Sequence, residues 1–252
     1  MLIRSNWTLT VDEPTVLPRT YGLELVKYLH QRMGLEMANE IISSVTFSGI
    51  LGFYSASGNF ITFHPNEFYQ LSLCGLQKKA AKAISTLELA ADLEFLGTKF
   101  NLINREDEVT SYEELYTTLV RNEPEASKRF DLQFITPTAF AQGETKLPLP
   151  VPALIFRSWL ERWNHFAPVY LGGDELIAYL SNAVILKNHK IQTRSFQLQR
   201  GFVNGFVGDV TLQVFTRADP LLANVANLLV QYAWFAGTGM KTRLGMGQII
   251  VK

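Results

Sequence analysis

Gly237-Thr238-Gly239-Met240-Lys241-Thr242-Arg243-Leu244-Gly245-Met246-Gly247 runs straight into Gln248-Ile249-Ile250-Val251, and a long apolar segment opened by Asp219-Pro220 precedes it. Asp at an N-cap, Pro in the first turn and Gly at the far end mark that segment as a helix. The expected order is therefore helix, glycine loop, strand. Two Gly-x-Gly pairs bracket five residues that include Lys241 and Arg243. Glycine reaches the φ > 0 conformations that a row of inward-pointing amides requires. Gly237, Gly239, Gly245 and Gly247 can thus bring backbone N–H groups to a phosphate while the two cations add charge. The same glycines also suit a bare turn between helix and strand. A nucleotide P-loop fits worse, because it needs Gly-Lys-Ser/Thr opening a helix, whereas Lys241 follows Met240 and a strand comes next.

Working back from this loop, strands are expected at Phe130–Thr136, Ile191–Leu198 and Val210–Thr216, with a helix over about Ala153–Asn164. Upstream, Leu2–Leu9 alternates as a strand, and a helix follows from about Tyr21 to Met33, continuing to about Ile42 past Gly34. Strands at Val45–Leu51, Asn59–Phe63 and Phe68–Leu73, a Lys/Ala helix from about Lys78 to Leu93 and a strand near Glu94–Leu102 complete a β-α-β-β-α-β order, that of a ferredoxin-like fold. Ser111-Tyr112-Glu113-Glu114 is a capping box that opens one more short helix, and Asn122-Glu123-Pro124-Glu125-Ala126-Ser127 reads as a linker. The expectation is an α+β chain of two tandem ferredoxin-like (RRM-like) domains, residues 1–125 and 126–252, the second ending in the glycine-rich loop.

The Gly-x-Gly, Lys/Arg-bearing, Gly-x-Gly pattern resembles the signature of the CRISPR repeat-associated RNA-binding (RAMP) superfamily. More narrowly, the chain is similar to its repeat-processing endoribonucleases, the sixth Cas family, in their cyanobacterial form. Phe134-Ile135-Thr136-Pro137-Thr138-Ala139-Phe140, Phe202-Val203-Asn204-Gly205-Phe206-Val207-Gly208 and Val45-Thr46-Phe47-Ser48-Gly49-Ile50-Leu51-Gly52 resemble other landmarks of that family. The resemblance implies tandem ferredoxin-like domains, CRISPR repeat RNA or guide RNA as the partner, and metal-independent cleavage that leaves 2′,3′-cyclic phosphate and 5′-hydroxyl ends. It also admits a rival: a non-catalytic RAMP subunit that holds guide RNA beside other Cas proteins in an effector complex.

Charge supports an RNA partner. The chain has 252 residues and zero formal net charge, but residues 1–144 carry 18 acids against 12 Lys/Arg, whereas residues 145–252 carry 5 acids against 11. Such asymmetry between halves points to a polyanion-binding surface in the second half. Between Glu175 and Asp209 no acid occurs, while Lys187, Lys190, Arg194 and Arg200 fall there with Phe196 and Phe202 interleaved. Cations plus stacking rings are what single-stranded RNA binding uses. A plain solvated face would look the same in sequence. No apolar run is long enough for a membrane span and the N-terminus lacks a signal-peptide core, so no membrane partner is expected. The single cysteine, Cys74, suits a reducing cytoplasm.

For chemistry the chain offers four histidines: His30, His64, His165 and His189. None stands at metal-ligand spacing from another His, Cys or Asp, so neither a catalytic metal nor another cofactor is expected. No Gly-x-Ser-x-Gly elbow is present, and Cys74 sits in an apolar run as an inert thiol would. Metal-free RNA cleavage needs a base for the 2′-hydroxyl proton, a cation for the phosphorane and an acid for the leaving 5′-oxygen. His30 lies on the amphipathic N-terminal helix, with Lys27 three residues earlier on a neighbouring face. They are the candidate catalytic pair, and the family resemblance implies a histidine in the same helical region. The chain departs from the family at Asn39-Glu40-Ile41-Ile42-Ser43-Ser44, where many members carry Leu-His. Either His30 serves from earlier in the helix, or this member cleaves weakly or not at all.

Overall fold

The computed structural model describes the whole chain apart from residues 37–39, 90, 91, 123, 126 and 216. Both halves carry the topology that the element order implies. In the first, β1 (Leu2–Thr10), α1 (Gly22–Arg32), β3 (Val45–Leu51), β6 (Tyr69–Gly75), α2 (Lys78–Ser85) and β8 (Thr98–Thr110) build an antiparallel sheet of order β3-β6-β1-β8, extended at its edge by β7 (Asp92–Phe95). Placing the first strand between the third and fourth is the ferredoxin-like arrangement. The second half repeats it with β9 (Arg129–Thr138), α4 (Pro152–Phe166), β12 (Val184–Gln197), β13 (Phe202–Val214), α6 (Pro220–Ala236) and β14 (Ile249–Val251), in the order β12-β13-β9-β14.

Strand periodicity explains both cores. Along β9 the even-numbered Phe130, Leu132 and Phe134 are buried while Asp131, Gln133 and Ile135 face the open side. Trp159 and Trp163, one helical turn apart on α4, are both buried in the core shared with α6. On α1 the buried stripe is Leu25, Val26, Leu29 and His30. Cys74 is buried, and burial pushes its thiol pKa up, as for an inert packing residue.

Several boundaries depart from the sequence reading. Helix α1 stops at Arg32, and Leu35, Glu36 and Glu40–Ile42 are not helical. Gly34 takes φ +63, a left-handed turn that ends a helix. The middle of the expected continuation, Met37-Ala38-Asn39, lies outside the described residues. The Lys/Ala helix ends at Ser85, not Leu93, and the strand expected near Glu94–Leu102 is a hairpin of β7 and β8 turning at Leu96 and Gly97, both with φ > 0. Helix α3 (Tyr112–Tyr116) follows the expected Ser111 cap, helix α5 (Asp174–Ala183) is an addition, and two small sheets form: β2 (Thr15–Pro18), the expected strand β5 (Phe60–Phe63) and β4 (Tyr54–Ser57) make one, and β10 (Phe140–Gln142) with β11 (Thr145–Leu147) the other. The last residue expected in β13, Thr216, is not described. No helix among the described residues is long and apolar enough to cross a membrane.

The two sheets meet through polar contacts that fix their mutual placement. Arg4, 3% exposed, lays its guanidinium 3.6 Å from the centroid of the Trp234 ring and donates to the Trp234 carbonyl at 2.6 Å. Thr46 donates to the Phe235 carbonyl at 3.1 Å, and Gln248 donates to the Phe47 carbonyl at 3.1 Å. The end of α6 and the start of β14 are thereby tied to β1 and β3, with the glycine loop between the two ties.

Candidate nucleic-acid interface and catalytic pocket

The glycine loop holds its shape by using most of its own amides. Thr238 N–H donates to the Gly247 carbonyl, Gly239 N–H to Ser158 Oγ, Met240 N–H to the Ala139 carbonyl and Gly247 N–H to the Pro137 carbonyl, all between 2.8 and 3.1 Å. Trp159 Nε1 donates to Thr238 Oγ1 at 2.9 Å. Half-buried Arg162 bridges Ser158 to the Gly239 carbonyl. Gly237, Gly239, Gly245 and Gly247 all have positive φ, and a Cβ on Gly239 would stand 2.4 Å from the Ala139 carbonyl oxygen. Gly239 and Gly247 are required by backbone-to-backbone packing, and Gly237 and Gly245 by their positive φ. The row of amides expected to face a phosphate is thus largely committed inside the protein.

The cations of the loop are what it presents. Lys241 adopts φ +56 and, with half-buried Arg243, lines a cleft of about 660 Å³ bounded by residues 40–43, by β10 and by α4. Lys241 also lines a second groove of about 380 Å³ together with Phe196 near the end of β12 and Arg200 from the turn between β12 and β13. The loop therefore links that turn to the first-half face of the molecule. Lys187, Lys190 and Arg194 are exposed along β12. They are not equivalent, because Lys190 pairs in register with Asp209, which Lys252 already binds at 2.7 Å. The same open face holds Asp131, whose carboxyl is kept below the usual range first by the Arg129 guanidinium, then by the Thr211 hydroxyl, with a smaller contribution from Lys187. Cation and acid alternate there. The hairpin turn and the glycine loop are the more one-signed part of the surface.

His30 and Arg243, far apart in sequence, line one pocket of about 130 Å³ with Ser43, Ser44, Glu40, Glu36, Gln77 and Lys79. His30 is 8% exposed, packs its ring 5.6 Å from that of Phe47, and neither ring nitrogen has a hydrogen-bond partner. Burial pushes its pKa below the ordinary histidine value; the nearby Leu35 backbone and Glu40 pull upward and Arg243 pulls further down. An unpartnered buried imidazole is costly to keep and is the kind of group a site retains for chemistry. Lys27 is not brought to this pocket. Its ammonium binds Glu24 at 2.8 Å on the exposed side of α1, and Gln199 donates to the same Glu24 oxygen. His30 belongs to the buried stripe and Lys27 to solvent, so three-residue spacing did not put them on a common wall.

Sequence reasoning passes over Lys79 and Ser158, and reads Arg162 only as a cation that could reach RNA. Arg162 and Ser158, four apart on α4, were visible as an i,i+4 polar pair in an apolar helix. Nothing local to Lys79 announced that α2 would start beside His30.

Residues 132–249 match the family model described as CRISPR-associated endoribonuclease Cas6. The CRISPR-associated endoribonuclease Cas6 of Mycobacterium tuberculosis strain H37Rv is 29% identical over 126 residues, 50% of this chain and 40% of that protein. The Streptococcus thermophilus protein of the same description is 29% identical over 129 residues, 51% of this chain and 52% of that one. The match spans about half the length of these relatives. Among solved structures, a Cas6 product complex superposes over 100% of both chains with a TM-score of 0.77 at 23% identity. A Cas6 of Thermus thermophilus does so over 100% of this chain and 98% of that one, with a TM-score of 0.67 at 21% identity. The product of a Cas6-related gene from Pyrococcus furiosus covers 100% of this chain and 99% of its own, with a TM-score of 0.69 at 12% identity. These likenesses establish the fold.

Proposed function

We propose that this chain is a member of the Cas6 family of CRISPR-associated endoribonucleases, and that it binds CRISPR repeat RNA and cuts the precursor transcript into guide RNAs. The observation that carries the reading is His30: buried, unpartnered, and lining one pocket with Arg243 of the glycine loop. In the reaction the 2′-oxygen attacks the adjacent phosphorus and gives its proton to a base. The bond from phosphorus to the 5′-oxygen breaks, and that oxygen takes a proton. The products are a 2′,3′-cyclic phosphate and a 5′-hydroxyl. Depression of the His30 pKa keeps the ring neutral at pH 7, suited to accepting the 2′-proton, while Arg243 balances the phosphorane charge.

The experiment is incubation of the purified chain with its own repeat RNA in EDTA. Cleavage at one position with cyclic-phosphate and 5′-hydroxyl ends is the expected result. A metal requirement or 5′-phosphate ends would sink the mechanism. A non-catalytic RAMP subunit is the second reading, favoured by the burial of both His30 ring nitrogens and by the absence of histidine from Glu40–Ser44. Tight repeat binding without any cut would select it.

RNA affinity should fall steeply with salt. Changing Lys187, Lys190, Arg194 and Arg200 together to Ala should flatten the log–log salt dependence by up to about 3, at roughly 0.7 per single-strand phosphate contact. Within the set Arg200→Ala should weaken binding more than Lys190→Ala, because Lys190 faces Asp209. Fluorescence anisotropy across a salt series measures both, and an unchanged slope in the quadruple variant would make these cations a solvated face.

A further inference from the structure

Helix α2 begins beside His30 without a side-chain cap on its first turn. Its N-cap residue Gln77 is extended and makes no side-chain cap bond, and no acid occupies the first turn. The leading amides of a helix have no acceptor within it and carry partial positive charge. Here they are followed by Lys78 and Lys79, the reverse of the acidic residues that usually stabilise such an end. Gly75 lets β6 run this close to α2, since a Cβ there would meet Ala81 N at 2.7 Å. Gln77, Lys79 and Ala80 line the pocket that holds the unpartnered imidazole of His30.

Two independent features thus converge on one small cavity: an open helix start bearing a lysine, and a buried ring without a partner. Both call for the same kind of occupant, an anion that offers oxygens to amides and an ammonium on one side and to imidazole on the other. The acids of the pocket do not fill that place. Glu40 gives one carboxylate oxygen to the Ser44 amide at 3.0 Å and the Ser44 hydroxyl at 3.2 Å, and Glu36 is exposed to solvent.

We propose that the first turn of α2, with Lys79, is the seat of the RNA phosphate on which His30 acts, so that Lys79 takes the charge-stabilising role that Lys27 is placed too far outside to fill. This rests on the reading of the His30 pocket as the site of RNA cleavage. Lys79 would touch a non-bridging phosphate oxygen, and α2 would orient that phosphate against the ring.

The test has two arms. In the first, the His30 ring is titrated by NMR with and without inorganic phosphate at constant ionic strength. An anion in the seat raises the His30 titration midpoint by about one unit, against the opposing Arg243 and alongside Glu36 and Glu40, which are present in both samples. Lys79→Ala should lose that response; Lys82→Ala, on the same helix but outside the pocket, should keep it. No response in the wild type, or an undiminished one in Lys79→Ala, overturns the seat. In the second arm, Lys79→Ala should cut repeat RNA about 10²-fold more slowly at saturating enzyme with its Kd little changed, and Lys79→Arg should recover part of the rate. Wild-type cleavage by Lys79→Ala also overturns the proposal. Should the wild type show the phosphate response and yet cut no repeat RNA, the seat stands and the cleavage reading fails.

Discussion

Replacing His30 with alanine is expected to slow repeat cleavage by about 10²- to 10⁴-fold, the range for loss of a general acid or base, while RNA affinity stays within a few fold. Affinity should persist because the candidate RNA-binding cations sit on β12, on its turn to β13 and on the glycine loop, not on α1. The pH profile identifies the role. His30 titrates below its ordinary value, so a base would gain activity as pH rises through that lowered pKa and hold a plateau above it, whereas an acid would lose activity over the same interval. Stability carries the same signature. With the folded pKa depressed, the unfolded chain binds more protons, so the contribution of neutral His30 is complete above about pH 6.5 and is lost as pH falls through the folded value. His30→Ala should flatten the dependence of the melting temperature on pH in that acid window. If the variant cuts at the wild-type rate, the assignment is wrong and Tyr28, Ser43 and Ser44 become the groups to examine.

Gly247→Ala should unfold the loop and lower stability far more than a glycine substitution normally does. At φ +73 an added Cβ would stand 1.9 Å from the Thr238 carbonyl oxygen, the backbone of the opposite side of the loop, which has no rotamer to retreat into. Left-handed strain alone costs about 1 kcal/mol, and forcing backbone apart in a packed site brings the total to roughly 4 kcal/mol or more. For a chain of this size that corresponds to a fall in Tm on the order of 10 °C. Gly34→Ala is the control, since Gly34 has φ +63 with nothing near its Cβ, and it should shift Tm by only about 2–4 °C. Equal shifts would mean the loop yields. Lys241→Ala, by contrast, removes charge and should leave Tm nearly unchanged while weakening RNA binding.

The strand periodicity of β9 is legible because it buries one face and alternation is then imposed by the pleat, whereas Leu2–Thr10 and Val45–Leu51 each begin with four residues buried on both faces and alternate only beyond them. The helix from Asp219 was legible for a different reason: its cap is a local bond, Asp219 to Leu221 N–H at 2.9 Å, and so survives without tertiary context. The hairpin at Leu96–Gly97 is hard to see because the alternating Leu93 and Phe95 before it and Phe100 and Leu102 after it merge into one strand-like run when only one glycine intervenes. The candidate site was harder to read. His30 and Lys27 obey the helical spacing of neighbours, yet a few tens of degrees around α1 separate the buried stripe from solvent, and spacing cannot say on which side of that line each residue falls. In sequence the loop glycines suit a ligand or a bare turn alike; Gly239 and Gly247 leave room for the carbonyls of Ala139 and Thr238, and only the fold brings those carbonyls close.

Phe47 occupies an unusual junction. Its carbonyl accepts the Gln248 side chain from just beyond the glycine loop, and its ring packs against His30. Arg243, which lowers the His30 pKa, comes from the same loop. A growing polypeptide therefore has no finished pocket while its first ferredoxin-like unit folds on the ribosome. The imidazole acquires its final surroundings only once residue 248 has emerged and docked, so on the proposed function cutting would begin only after the glycine loop has arrived.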